Sequence, residues 1–148
     1  MTVLKQSDAI GPDRVTTSSV ATEIGITQAA LFRHFSTKAD LWLAVAEQVS
    51  EMLSQAWAEA LLAEHKPLER IRALVGAQLR QIGKTPAMPM LLFSRELNVD
   101  NTGLREAFRT RLVEFQTLLV AEVSKAAASG HIRKDIVPTD AAVLFTSL

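Results

Sequence analysis

Residues 15–41, VTTSSVATEIGITQAALFRHFSTKADL, decide the fold of this 148-residue chain: they read as a helix, a tight turn, a second helix and the opening of a third. The Thr16 hydroxyl is placed to accept a bond from an orphan amide of the first turn, so it caps a short helix over residues 17–24. Gly25 ends that helix. Lacking a Cβ, it takes a left-handed backbone without steric cost, and Ala21, four residues earlier, is small enough for two helices to cross closely. Thr27 caps the next helix, over residues 28–34. In this reading Leu31 and Phe35 turn inward with Val20, Ile24 and Ile26, while Gln28, Ala29, Ala30 and Arg33 face outward. A short helix pair joined this way can lay its second member in the major groove of DNA, with the outward side chains as base readers.

The same residues resemble the DNA-binding domain of the TetR family of bacterial repressors. The resemblance runs through Gly11 at the end of the family's first helix, Thr16 opening the second, Ala21 and Gly25 at its end, and Ile26 and Thr27 in the turn. It continues with Leu31 in the recognition helix, then Phe35, Lys38 and Leu41. Far downstream, Gly130-His131-Ile132-Arg133-Lys134-Asp135-Ile136-Val137-Pro138 followed by Asp140-Ala141-Ala142 is similar to the family's link into its penultimate helices. The middle matches only as a succession of helices. The resemblance implies an all-α protein with a helix-turn-helix DNA-binding domain over residues 1–46 and a helical effector-binding and dimerisation domain over residues 47–148. It implies a homodimeric transcriptional repressor, bound to a double-stranded operator and released by a small-molecule effector, with no cofactor.

The candidate DNA-contacting residues are then Thr16, Thr27, Gln28, Ala29, Ala30, Phe32, Arg33, His34 and Lys38. Lys38 sits in the first turn of its helix, where the macrodipole disfavours a cation by about 0.3–1 kcal/mol, so its charge points to an outside anion such as a phosphate. His34 has two readings, a helix-end cation complementing the carbonyl pole or the phosphate contact that the resemblance implies there. Phe32 departs from the family, which usually carries a tyrosine whose hydroxyl meets a phosphate; packing against the neighbouring helix is the expectation here.

Composition sets limits. A hydrophobic content of 48% supports a substantial core in one domain with a small attached one. With no cysteine, disulfide frameworks and thiolate metal sites are excluded. No apolar run approaches the roughly 18 residues of a membrane span, and no signal-like segment opens the chain, so a soluble cytoplasmic protein is expected. Lys+Arg and Asp+Glu both number 16, and the first forty-odd residues show no basic excess, so non-specific affinity for DNA should be modest. The histidines, His34, His65 and His131, are scattered, and no metalloprotease, nucleophile-elbow or phosphate-loop motif occurs, which argues against an enzyme. A small helical enzyme is a distant reading. The nearer alternative is an α-helical ligand-binding or protein-interaction module without DNA binding.

Downstream the 3.6-residue period continues. Thr37 and Asp40 form a capping-box pattern ahead of a stripe of Leu41, Val45, Val49, Met52, Ala56 and Ala60, flanked by Leu53, Trp57 and Leu61. Pro67 opens a helix whose Leu68, Ile71, Val75, Leu79 and Ile82 share a face, before Gly83 and Pro86 stop it. An apolar helix is expected over residues 88–97 and a polar break over 98–103. A long helix with Leu104, Phe108, Leu112, Phe115, Leu119, Val123 and Ala126 inward then ends at Gly130, and a last one starts near Pro138. Met88, Met90, Leu91, Leu92, Phe93, Phe108, Leu112 and Phe115 are candidates to line the effector pocket that the resemblance implies, and their apolar character favours a hydrophobic effector.

Both ends depart from the family. Ten residues precede Gly11 and carry little helical stripe beyond Leu4 and Ile10, so the family's first helix is expected to be lost or replaced. Ala141-Ala142-Val143-Leu144-Phe145 resembles the start of the first of two dimerisation helices, and the chain stops inside it. A chain truncated at both ends, with a weakened dimer, is the expectation.

Overall fold

The computed structural model describes residues 2–94 and 101–147, apart from the side chains of Leu92 and Phe93. Among these residues every regular element is a helix: α1 (Thr2–Ile10), a 3-10 turn (Pro12–Arg14), α2 (Thr17–Glu23), α3 (Gln28–His34), α4 (Lys38–Ala63), α5 (Pro67–Lys84), α6 (Ala87–Phe93), α7 (Thr102–Ala128) and α8 (Pro138–Thr146). The chain forms two compact units, Met1–Glu51 with Ile82–Phe108, and Met52–Gln81 with Arg109–Leu148. The first unit joins α6 to the helix-turn-helix.

In the first unit a nine-residue α1 stands where the sequence led to the expectation of a first helix lost or replaced. Its inward face is Val3, Leu4 and Ser7, and Ile10 is exposed. Ser7 is tolerated inside because its hydroxyl donates to the Val3 carbonyl at 2.8 Å, leaving no unsatisfied group. The chain turns at Gly11, whose φ of 84° favours glycine. Asp8 of α1 accepts from the Ala87 amide at the start of α6, and Asp13 of the 3-10 turn accepts from the Ser94 hydroxyl just past its end. Two carboxylates therefore fasten α6 at both ends. The core around them contains Val15, Val20, Leu31, Leu41, Trp42, Val49, Met88, Leu91 and Leu104.

Helix α4 starts as its capping box predicts: the Thr37 amide donates to Asp40 Oδ2 at 2.9 Å and the Asp40 amide donates to Thr37 Oγ1 at 3.1 Å. Leu41, Val45, Val49 and Ala60 are buried, Met52 and Ala56 half-buried, and the flanking Leu53 and Trp57 fully inside. Leu97, and residues 98–100 of the expected polar break, lie outside the described residues; α6 ends at Phe93. Asn101 accepts from the Leu104 amide at the start of α7 and donates to the Ala39 carbonyl in the first turn of α4.

In the second unit Trp57 stacks on Phe115 with ring centroids 5.0 Å apart, and its Nε1 donates to Gln78 Oε1 at 3.1 Å. Ile71, Leu74 and Ala77 of α5 and Leu119, Val123 and Ala126 of α7 are buried as well. Two residues read as core are corrected: Leu79 is 62% and Leu112 is 46% exposed. Leu79 turns away because the inward positions of α5 fall at Ile71, Leu74 and Ala77 instead. Glu122, at 2% exposure, is buried and faces both Arg70 and Lys125. Just past the end of α7 the chain turns at Gly130 (φ 72°), where the Gly130 amide donates to the Ala127 carbonyl and the His131 amide to the Ala126 carbonyl.

Candidate nucleic-acid interface

The helix pair is built from three local devices. Thr16 and Ser19 cap α2 reciprocally: the Ser19 amide donates to Thr16 Oγ1 at 3.0 Å and the Thr16 amide to Ser19 Oγ at 3.1 Å. At the other end the Gly25 amide donates to the Thr22 carbonyl and the Ile26 amide to the Ala21 carbonyl, the paired bonds of a Schellman turn. Gly25 holds φ at 73° with nothing within 4 Å of where a Cβ would stand, so backbone conformation, not space, demands glycine. Thr27 then caps α3, accepting from the Ala30 amide at 3.1 Å. Gln6 of α1 secures the assembly by donating to the Ser19 carbonyl and accepting from the Ser19 hydroxyl.

Val20, Ala21 and Leu31 fill the crossing of α2 and α3. Phe35 is half-buried, but Ile24 and Ile26, read as core, are exposed, because the turn at Gly25 carries the chain outward on both sides. Gln28, Ala29, Arg33 and His34 are exposed, and Ala30 and Lys38 half-buried. Phe32 corrects another expectation. Its ring is 41% exposed rather than packed on the adjacent helix, since the single inward position of this seven-residue helix is taken by Leu31.

Arg33, His34 and Lys38 make no ion pair or side-chain hydrogen bond among the described residues. Lys5, Arg14, Arg33 and Lys38 are balanced by Asp8, Asp13, Glu23 and Asp40 over residues 1–46. Of those acids Asp8, Asp13 and Asp40 are aimed at internal donors, which leaves the cations beside α3 available to an outside anion. Thr16 and Thr27 each accept a backbone amide, so each hydroxyl hydrogen is free to donate to a phosphate oxygen.

Sequence reasoning missed Thr17. Its Oγ1 accepts from Gln28 Nε2 at 2.9 Å, linking the first residue of α2 to the first residue of α3. The pair is separated by eleven positions, and no spacing rule announces such a contact. The effector-pocket candidates divide between the units. Met88 and Phe108 are buried and Met90 exposed in the first; Phe115 is buried and Leu112 exposed in the second. Leu91 is buried, and the side chains of Leu92 and Phe93 lie outside the description.

Residues 8–45 match the family described as bacterial regulatory proteins, tetR family. The nucleoid occlusion factor SlmA of Vibrio vulnificus is 30% identical over 111 residues, 75% of this chain and 57% of that protein. SlmA of a Marinomonas species is 25% identical over 125 residues, 84% of this chain and 61% of that protein. The chain thus spans little more than half the length of these curated relatives. Among solved structures, AibR in complex with isovaleryl coenzyme A and operator DNA superposes with a TM-score of 0.81 at 20% identity, over 99% of this chain and 78% of that one. The TetR family transcriptional regulator PfmR of Thermus thermophilus gives 0.79 at 18%, over 97% and 77%. An all-α chain with a capped helix pair turning at Gly25 is a helix-turn-helix protein. Its residues 8–45 carry the match to the TetR family of bacterial regulatory proteins.

Proposed function

We propose that the chain is a sequence-specific DNA-binding transcriptional repressor, working as a homodimer and leaving its operator when a hydrophobic small molecule binds among its C-terminal helices. The observation that carries this reading is the outer face of α3, where Gln28, Ala29 and Arg33 stand exposed with Lys38 close by in sequence on α4. Arg33 and Gln28 offer hydrogen bonds to base edges; Lys38, Thr27 and Thr16 offer charge and hydroxyl donors to phosphates. Residues 1–46 act as the reader and residues 47–148 as the sensor and dimerisation region. A DNA reader works in the bacterial cytoplasm, and no described helix is long and apolar enough to cross a membrane.

Arg33→Ala is expected to cost about 1–3 kcal/mol of operator binding and to relax base preference at one position. Lys38→Ala is expected to weaken binding to all sequences and to reduce the salt slope by about 1. Fluorescence anisotropy across a salt series measures both, and unchanged binding by both variants would sink the reading.

Release requires a ligand whose affinity differs between the DNA-bound and free states, since equal affinity shifts nothing. The same fold in AibR accommodates isovaleryl coenzyme A together with operator DNA, which supports both roles on one chain. Apolar compounds that bind this protein are therefore expected to lower operator affinity by about 5- to 150-fold, the usual range of allosteric coupling. Titration of such compounds against a labelled operator reads this directly; binding without any change in operator affinity would remove the sensor role and leave the reader. For the dimer, Val143, Leu144 and Phe145 of α8 and Leu112 and Val113 of α7 expose apolar surface of the kind that subunits bury.

The SlmA relatives favour a second reading, a role in nucleoid occlusion. A chromosome-wide binding profile separates the two. Sites beside genes whose transcripts change on deletion support the repressor, and sites without transcript change support the occlusion role.

A further inference from the structure

We infer that Gln28 reads an adenine in each operator half-site and that Thr17 is the positioning residue that aims it. This rests on α3 being the recognition helix and goes beyond it by naming the base. Gln28 is the first residue of α3, and residues at the N-terminal end of a recognition helix are the ones that reach base edges. A glutamine there ordinarily samples many rotamers, with its amide pointing either way round. Here Nε2 donates one hydrogen to Thr17 Oγ1 at 2.9 Å, while the side chain as a whole stays exposed.

That single bond determines what is left to offer. A primary amide has two N–H hydrogens and one acceptor oxygen; we take Thr17 to engage the hydrogen anti to the oxygen, so that Gln28 retains one donor and one acceptor side by side. In the major groove adenine alone presents the complement, with N7 accepting and the N6 amino group donating. Guanine presents two acceptors, N7 and O6, and its O6 would face the Gln28 oxygen. Cytosine presents one donor and thymine one acceptor beside a methyl group, so either leaves one Gln28 group unanswered. Thr17 is itself stationed by its neighbour: Thr16 caps α2 and fixes the backbone from which Thr17 projects. The bond therefore joins the first residues of the two helices, and the ordering of the amide is completed before DNA arrives. Pre-ordering of this kind lowers the entropy lost on binding.

The experiment is in vitro selection of preferred sites from a random-core duplex library with the full chain, followed by affinity measurements on the selected site and its single-base variants. Wild type is expected to select one adenine position per half-site and to disfavour other bases there by about 5- to 150-fold, the usual range for a bidentate base contact. Gln28→Ala should abolish the preference at that position alone. Thr17→Val, which keeps the shape and removes the hydroxyl, should reduce it by about 2- to 12-fold, the worth of one ordinary hydrogen bond. Thr17→Ser should restore it. Circular dichroism of each variant verifies the fold, and Thr17→Ser distinguishes a lost hydroxyl from a disturbed helix start. A selected site whose preferences are untouched by Gln28→Ala overturns the inference while the reader stands. A Thr17→Val protein with undiminished adenine preference overturns the positioning role, and failure of wild type to select any sequence overturns both the inference and the DNA-reading function beneath it.

Discussion

Replacing Trp57 with alanine is expected to destabilise the unit formed by Met52–Gln81 and Arg109–Leu148 by about 3–5 kcal/mol. The indole is 1% exposed, is stacked on Phe115 and has its N–H bonded to Gln78. Truncation removes all three at once: the buried apolar surface, the ring contact and the partner of the Gln78 oxygen. Because interiors are close-packed, the neighbouring helices relax only partly into the space, and the cavity adds to the lost transfer energy. Trp57→Phe keeps the ring and most of the volume and should cost well under half as much. Denaturant unfolding followed by far-ultraviolet circular dichroism measures both. A loss below about 1 kcal/mol for the alanine variant would show that this ring does not anchor the unit.

The second large effect concerns the carboxylate buried in the same unit. Arg70 Nε lies 2.9 Å from Glu122 Oε2 but out of line for a hydrogen bond, so that contact is Coulombic; Lys125 Nζ, 2.8 Å from Oε1, supplies the hydrogen-bonded partner. Removing Arg70 leaves a charge in the interior with one lysine that is itself largely exposed. Breaking a buried pair this way typically costs about 3–5 kcal/mol, and partial exposure of Arg70 together with the surviving lysine should bring Arg70→Ala to about 2–3 kcal/mol. Glu122→Gln removes the charge and leaves Arg70 able to reach water, so it should cost less. Combining the two should recover part of the loss in a double-mutant cycle. Strict additivity, or Glu122→Gln costing more than Arg70→Ala, would contradict this account.

What the sequence disclosed were the features set by neighbours along the chain. Thr16, Thr27 and the Thr37–Asp40 box are caps, and Gly25 and Gly130 are helix stops; each acts over a few residues and is written locally. Faces were less legible, because an apolar residue declares only that it prefers burial. In α5, Leu79 loses its place to Leu74 and Ala77, and in α7 Leu112 lies outside while Glu122 lies inside, since which arc of a helix is covered depends on partners distant in sequence. Helix α1 showed little stripe in the sequence for a related reason: part of its buried face is Ser7, whose hydroxyl is satisfied by its own backbone and so leaves no apolar mark. In the candidate interface the outward placement of Gln28, Ala29 and Arg33 was legible, Ala30 is half-buried and Phe32 exposed, and Thr17 became visible only when the fold brought it to Gln28.

Fastening α6 by both ends ties its position to that of α1 and the 3-10 turn. Helix α6 cannot tilt about one free end: it moves with α1 and the 3-10 turn, or it releases Asp8 or Asp13 to water. Helix α1 in turn grips α2 through the two Gln6 bonds to Ser19, so four hydrogen bonds form a relay from α6 to the helix that buttresses Gln28. Under the proposed sensing role, a molecule that displaced α6 would load this relay, and the work done on the reader would be returned in kind: occupancy of the operator would alter affinity for that molecule by the same factor. Asp8→Asn with Asp13→Asn would slacken the linkage at its first two joints while leaving every residue of the α3 face in place.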